Sequence, residues 1–135
     1  MIAVDSNIWC YYFDEEAKEH RKVAGFLGQL IPKEEILLNT IIVMEVAHFL
    51  VRSLGPVRGR EKMERFLAFP FLVRNVDYDL VRESIDLLAA YAHAGIGGRD
   101  ATILAAMKAA GTARLATHDQ AFKKVHGIEV IDPLL

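Results

Sequence analysis

The chain has 135 residues, the size of one domain with a single hydrophobic core. A net charge of −2, a pI near 6.2 and a single cysteine exclude a broadly basic nucleic-acid binder, an intrachain disulfide framework and a cysteine-rich zinc site. The 53% hydrophobic content and mean hydropathy of +0.20 are high for a small soluble monomer, and imply apolar surface covered by a partner, most simply a second copy.

Residues 2–4 read as a short buried strand, and Asp5-Ser6-Asn7 supplies helix-capping chemistry directly after it. Cys10 is expected to be a small buried hydrophobe. An amphipathic helix is expected over 15–28, with Ala17, Val23, Ala24 and Leu27 among its apolar positions, and a second strand over 36–38. Asn39-Thr40 caps a helix that Gly55-Pro56 stops after Leu54, and a shorter helix follows over 59–68. A third strand is expected over 71–76. Asp77 then caps a long helix to about Ala94, and the loop from Gly95 to Gly98 delivers another over 99–110. A strand at 114–116, a short helix over 117–124 and a last strand at 128–131 complete the chain. There is no repeat or linker, so residues 1–135 read as a single domain. No apolar run approaches membrane-spanning length and MIAVD lacks the plan of a signal peptide, so no membrane association and a cytoplasmic location are expected.

Strands alternating with helices predict an α/β fold, a three-layer α/β/α sandwich around a mostly parallel sheet of four to five strands. Ligands of such folds bind beyond the carboxyl ends of the strands. Asp5 follows the first strand, Glu45 lies on the helix after the second, and Asp119 follows the strand at 114–116. The layout alone brings these three to one edge of the sheet.

Asp100, at the start of the alanine-rich RDATILAAM helix, joins them as a fourth acid. It shares a helix face with Ile103, Leu104 and Met107, and the helix dipole favours its charged form. Glu45 falls opposite the stripe Val43, Val46, Ala47, Leu50 and Leu54, on a second apolar face with Ile41, Ile42, His48, Phe49 and Arg52, which suggests a cleft. Each acid has a structural alternative. Asp5 suits a helix N-cap, Glu45 a surface arrangement with Phe49 and Arg52 or a buried ion pair, Asp100 a plain cap, and Asp119 the first turn of a helix whose capping box is Thr117–Gln120. If the four converge, their repulsion calls for a hard cation, and an all-oxygen donor set favours Mg²⁺ or Mn²⁺. Such ions acidify an attacking water and polarise a phosphodiester.

In order along the chain, Asp5-Xaa-Asn7 after the first strand, Glu45 on the helix after the second, Asp100 opening RDATILAAM, and Thr117-Xaa-Asp119-Xaa-Xaa-Phe122 resemble the PIN domain. This family of metal-dependent ribonucleases includes the VapC-type toxins of toxin–antitoxin pairs. The resemblance covers essentially the whole chain. It implies that Asp5, Glu45, Asp100 and Asp119 ligate Mg²⁺ or Mn²⁺ and act as the catalytic set, while Asn7 and Thr117 orient ligands or water. It further implies an RNA substrate, a homodimer and a small antitoxin covering the cleft. His118 and the bulky Trp9, Tyr11 and Tyr12 are not defining features of the family.

A basic stretch, with Arg52, Arg58, Arg60, Lys62 and Arg65 against Glu61 and Glu64, is either an RNA-phosphate or antitoxin contact or a solvated connector. Arg52, Arg58, Arg60 and His118 are the candidate substrate contacts. Tyr11, Tyr12 and Phe13 serve either base stacking or core packing. The expected function is a Mg²⁺- or Mn²⁺-dependent endoribonuclease, the toxin of a toxin–antitoxin pair. The alternative is a non-catalytic module of the same fold that binds RNA or protein. A phosphoryl-accepting receiver domain is disfavoured, because Ser6 rather than a second acid follows Asp5 and the third strand ends in RNV.

Overall fold

The computed structural model describes residues 1–135. In chain order the elements are β1 (Ile2–Val4), α1 (Ser6–Phe13), α2 (His20–Leu30), β2 (Ile36–Asn39), α3 (Thr40–Leu67), β3 (Leu72–Arg74), α4 (Tyr78–Tyr91), α5 (Gly98–Ala110), β4 (Arg114–Ala116) and β5 (Glu129–Ile131). Two 3₁₀ turns lie at Ala92–Ala94 and Gln120–Lys124. The strands form one sheet in the order β3-β2-β1-β4-β5, with every pairing parallel. Helices flank the sheet, as the α/β/α expectation required. β1 and β2 are buried along their whole length, which is why they read as unbroken apolar runs rather than alternating ones. The expected third strand shrinks to three residues because β3 is an edge with one partner and two of its residues exposed.

Helix α1 was not anticipated as an element; only its cap was. It forms because Asp5 accepts from the Ser6 N–H and because Ile8 and Trp9 bury completely. Trp9 sits among aromatic rings, with Phe66 and Phe71 at centroid distances of 5.0 and 5.2 Å. Tyr12 and Phe13 join this cluster, so packing rather than base stacking accounts for them. The Trp9 indole N–H finds no acceptor there, a local cost that the packing outweighs. Helix α2 starts later than expected, at His20; the residues before it form turns, the first of them held by Asp14, which accepts from the Glu16 N–H at 3.2 Å.

Helix α3 is two helical arms. Gly55 adopts φ 84°, a left-handed conformation that side chains rarely take, and ends the first arm where the sequence placed the stop. The second arm returns so closely that a Cβ on Gly59 would lie 2.6 Å from the Val51 Cα. An 18-residue window of this stretch reaches mean hydropathy 1.4, enough by length and composition for a membrane span, contrary to the expectation that no run would be. The break at Gly55 leaves a first arm of about 22 Å, short of the roughly 30 Å of a bilayer core. Ile42, Val46 and Leu50 line its buried side; Ile42, expected on the second face, belongs to the core.

Candidate functional site

The strand order reverses at the neighbouring pair β1 and β4, a topological switch point whose carboxyl-end crevice is the expected binding position. Asp5 is the first residue after β1 and Thr117 the first after β4; both are fully buried. Asp5 is the cap of α1 through Oδ1, which accepts from the Ser6 N–H at 2.7 Å. Its Oδ2 accepts from the Thr117 hydroxyl at 2.7 Å and from Asn7 Nδ2 at 3.4 Å. The Thr117 oxygen in turn accepts from Asn7 Nδ2 at 3.3 Å and from the Asp119 N–H at 3.0 Å. One donor and two acceptor positions saturate a hydroxyl. Capping and site-building are therefore one arrangement at Asp5, not alternatives.

Glu45 arrives from the outward side of α3 and Asp100 from the first turn of α5. Both meet Asp5 through a residue that the sequence reasoning missed, Arg99. Its Nε donates to both Glu45 oxygens at 2.8 and 2.7 Å, and Nη1 donates to Asp100 Oδ1 at 2.7 Å. Nη2 donates to Asp5 Oδ1 and, at 2.9 Å, to the Ser6 hydroxyl. Burial opposes the guanidinium's charge, but Asp5 and Glu45 outweigh it and raise its pKa further. The Asn39 side chain caps α3 through the Ile42 N–H and donates to Thr102, whose hydroxyl bonds the Arg99 carbonyl at 2.6 Å. The helix starts carrying Glu45 and Asp100 are thus fastened together. Asp100 also accepts from the Gly97 N–H at 3.2 Å, so it caps as well.

Asp119 does not touch Arg99. It caps the 3₁₀ turn by accepting from the Ala121 N–H at 3.0 Å and reaches Asp5 only through Thr117. The capping box expected from Thr117 and Gln120 does not form, because the Thr117 hydroxyl is committed to Asp5. Its neighbour His118 is held through Nδ1 by Asp132 at 3.0 Å, and Lys123 bonds the same carboxylate at 3.0 Å. Burial of Asp132 is outweighed by His118, the Leu134 N–H and Lys123, and its pKa is lowered. Tyr11 lies edge-on to the His118 ring.

The basic stretch is not one patch. Arg52 lines a groove of about 720 Å³ with Thr40, Ile41, Met44, Glu45, His48, Phe49 and Val76, the cleft that the Glu45 face suggested. Arg58 and Lys62 line a different cleft with Asp14, Glu15 and Glu16, while exposed Arg60 pairs with Glu64 one turn on. Cys10 is only half-buried, not fully as expected. Its pKa is pushed up to about 12 by burial and by Glu45 and Asp5, so it stays a thiol.

Carboxylate oxygens from three elements converge on one positive charge here, and no thiolate or imidazole stands among them. That donor set fits a hard divalent cation, with the guanidinium standing in for it. With Arg99 in place, no three acidic, histidine or cysteine side chains are arranged to hold an ion between them. A sequence signal for Arg99 existed. A cation in the first turn of a helix opposes the macrodipole, so its position in RDATILAAM asks for a local anionic partner. Asp132 left no such signal.

The family model described as the PIN domain matches residues 2–128. Among solved structures, the fold is similar to the sarcin-ricin loop cleaving toxin VapC20 of Mycobacterium tuberculosis, with a TM-score of 0.77, 18% identity, and 95% of this chain and 98% of that one covered. It is also similar to a toxin–antitoxin complex from Klebsiella pneumoniae (TM-score 0.71, 23% identity, 98% of each chain). A third likeness is to VapBC2 of Rickettsia felis bound to a promoter DNA fragment (TM-score 0.75, 19% identity, 97% and 98% covered). No curated protein matches the sequence.

Proposed function

This chain belongs to the PIN domain family, and from that premise we propose that it is a Mg²⁺- or Mn²⁺-dependent endoribonuclease, the toxin of a toxin–antitoxin pair. The observation that carries the proposal is the convergence of Asp5, Glu45 and Asp100 from three elements at the switch point of the sheet. A bound divalent ion supplies an acidified water and neutralises charge at the phosphodiester. Asp5, Glu45, Asp100 and Asp119 would hold it. Thr117 and Asn7 fix Asp5 by engaging Oδ2, which leaves Oδ1 as the oxygen turned to the cluster. Arg52, in the groove with Glu45, and His118, next to Asp119 in the chain, are the contacts for RNA phosphates; Arg58 and Arg60 lie in other surroundings and are weaker candidates. The apolar groove beside Glu45, with Met44 69% exposed, supports a protein partner, an antitoxin segment or a second copy.

Purified protein should cleave single-stranded or loop RNA with Mg²⁺, stop on chelation, and lose activity in Asp5→Asn and Asp100→Asn. If both variants cleave like the parent, the site assignment is wrong. One observation favours the rival reading of a non-catalytic binding module: Arg99 already neutralises part of the acidic charge without a metal. Titration calorimetry with Mn²⁺ separates the two, because the module would bind none.

A further inference from the structure

We infer that Arg99 is an internal rival of the divalent ion: its guanidinium holds the carboxylate cluster closed, and an ion that Asp5, Glu45 and Asp100 would hold must displace it. This rests on reading the cluster as a cation site. The argument starts with the oxygens. Asp5 Oδ2 is committed to Thr117 and Asn7, and Asp100 Oδ2 to the Gly97 N–H. Arg99 takes the rest: Asp100 Oδ1, both oxygens of Glu45, and Asp5 Oδ1, which it shares with the Ser6 N–H. An arginine and an ion that need the same oxygens exclude each other.

Charge supplies the drive for exchange. Three carboxylates face one guanidinium, so the closed cluster keeps an excess of negative charge that a divalent ion offsets better than a monovalent one. The exchange also has a path. The Arg99 side chain is 31% exposed, and its backbone is fixed by the Thr102 hydroxyl on its carbonyl. Displacement is then a rotation of one side chain toward solvent with α5 intact. In the wild type, apparent affinity for the ion is the intrinsic affinity multiplied by the fraction of molecules in which Arg99 has left the cluster.

Two measurements test this. Calorimetry with Mn²⁺ should show Arg99→Gln binding about tenfold or more tighter than the wild type. NMR of the ¹⁵N-arginine-labelled wild type, with the Arg99 Nε–H signal assigned by its loss in Arg99→Lys, should show that signal protected from exchange without metal. It should shift and lose protection as Mg²⁺ is added. Equal or weaker Mn²⁺ binding by Arg99→Gln overturns the inference, as does Mg²⁺ binding that leaves the Arg99 signal protected; either result leaves the metal site standing. If neither protein binds Mn²⁺, the metal reading itself fails and takes the inference with it. Should Arg99→Gln fail to fold, the wild-type NMR titration decides alone.

Discussion

An arginine gathers carboxylates at each end of the sheet, and the two clusters differ in kind. At the amino end of the strands, Arg114 donates to both oxygens of Glu34 at 2.6 Å and approaches Glu129 at 3.7 Å, while the Met1 ammonium lies 3.4 Å from Glu34. Two cations meet two anions there, in contact with water. At the carboxyl end one cation meets three anions, and Asp5 among them is fully buried. The balanced, wet cluster is a fastener whose worth is modest. The unbalanced, partly dry one has charge left over, and surplus charge held in place by a fold is what a site consists of.

The sharpest way to break this contrast is to remove surplus charge. Asp5→Asn or Asp100→Asn should lower RNA cleavage by about a thousandfold or more, whereas Glu34→Gln should leave it unchanged. A gel assay of the three variants at equal concentration checks this. Next in size is Thr117→Val, which keeps the shape but strips partners from Asp5 Oδ2, Asn7 Nδ2 and the Asp119 N–H. Urea unfolding should show a loss of about 1–3 kcal/mol. Acid titration should be gentler. The Arg114 hydrogen bond is the main reason that the Glu34 pKa is lowered, so this carboxylate stabilises the fold above its ordinary value near 4. That contribution is lost as pH falls through the lowered value, and Glu34→Gln should flatten the corresponding part of the Tm-against-pH curve. The smallest effect is that of salt on the amino-end cluster: raising NaCl to about 1 M should erase most of the Tm difference between Glu34→Gln and the parent.

Much of this was legible in the sequence because local chemistry and topology agreed. Gly55-Pro56 marked the break in α3, Asp77 marked the start of α4 through the Leu80 N–H, and the order of elements sent Asp5 and Asp119 to one edge. Glu45 could be read from its helix face, since Ile41, His48, Phe49 and Arg52 on that face do line a groove with it. Arg99 was not read, because its role depends on Asp5 and Glu45, 94 and 54 positions away, meeting around it beside Asp100. Helix α1 was missed for a related reason: its eight residues owe their helicity to burial of Ile8 and Trp9 more than to a repeating pattern. The basic stretch looked like one surface only as a string of letters; the turn at Gly55 splits it.

The bond between Thr117 and Asp5 joins residues 112 positions apart, and that between Arg99 and Asp5 spans 94. Closing loops of that length is slow and costs entropy before any contact repays it. During synthesis, a chain that has passed Glu45 but not Asp100 carries half of its acids and nothing to organise them. The central strand must wait for β4 to arrive as its second neighbour. Nascent chains consequently lack the cluster, which comes into being only as the last part of the chain, from α5 onward, docks.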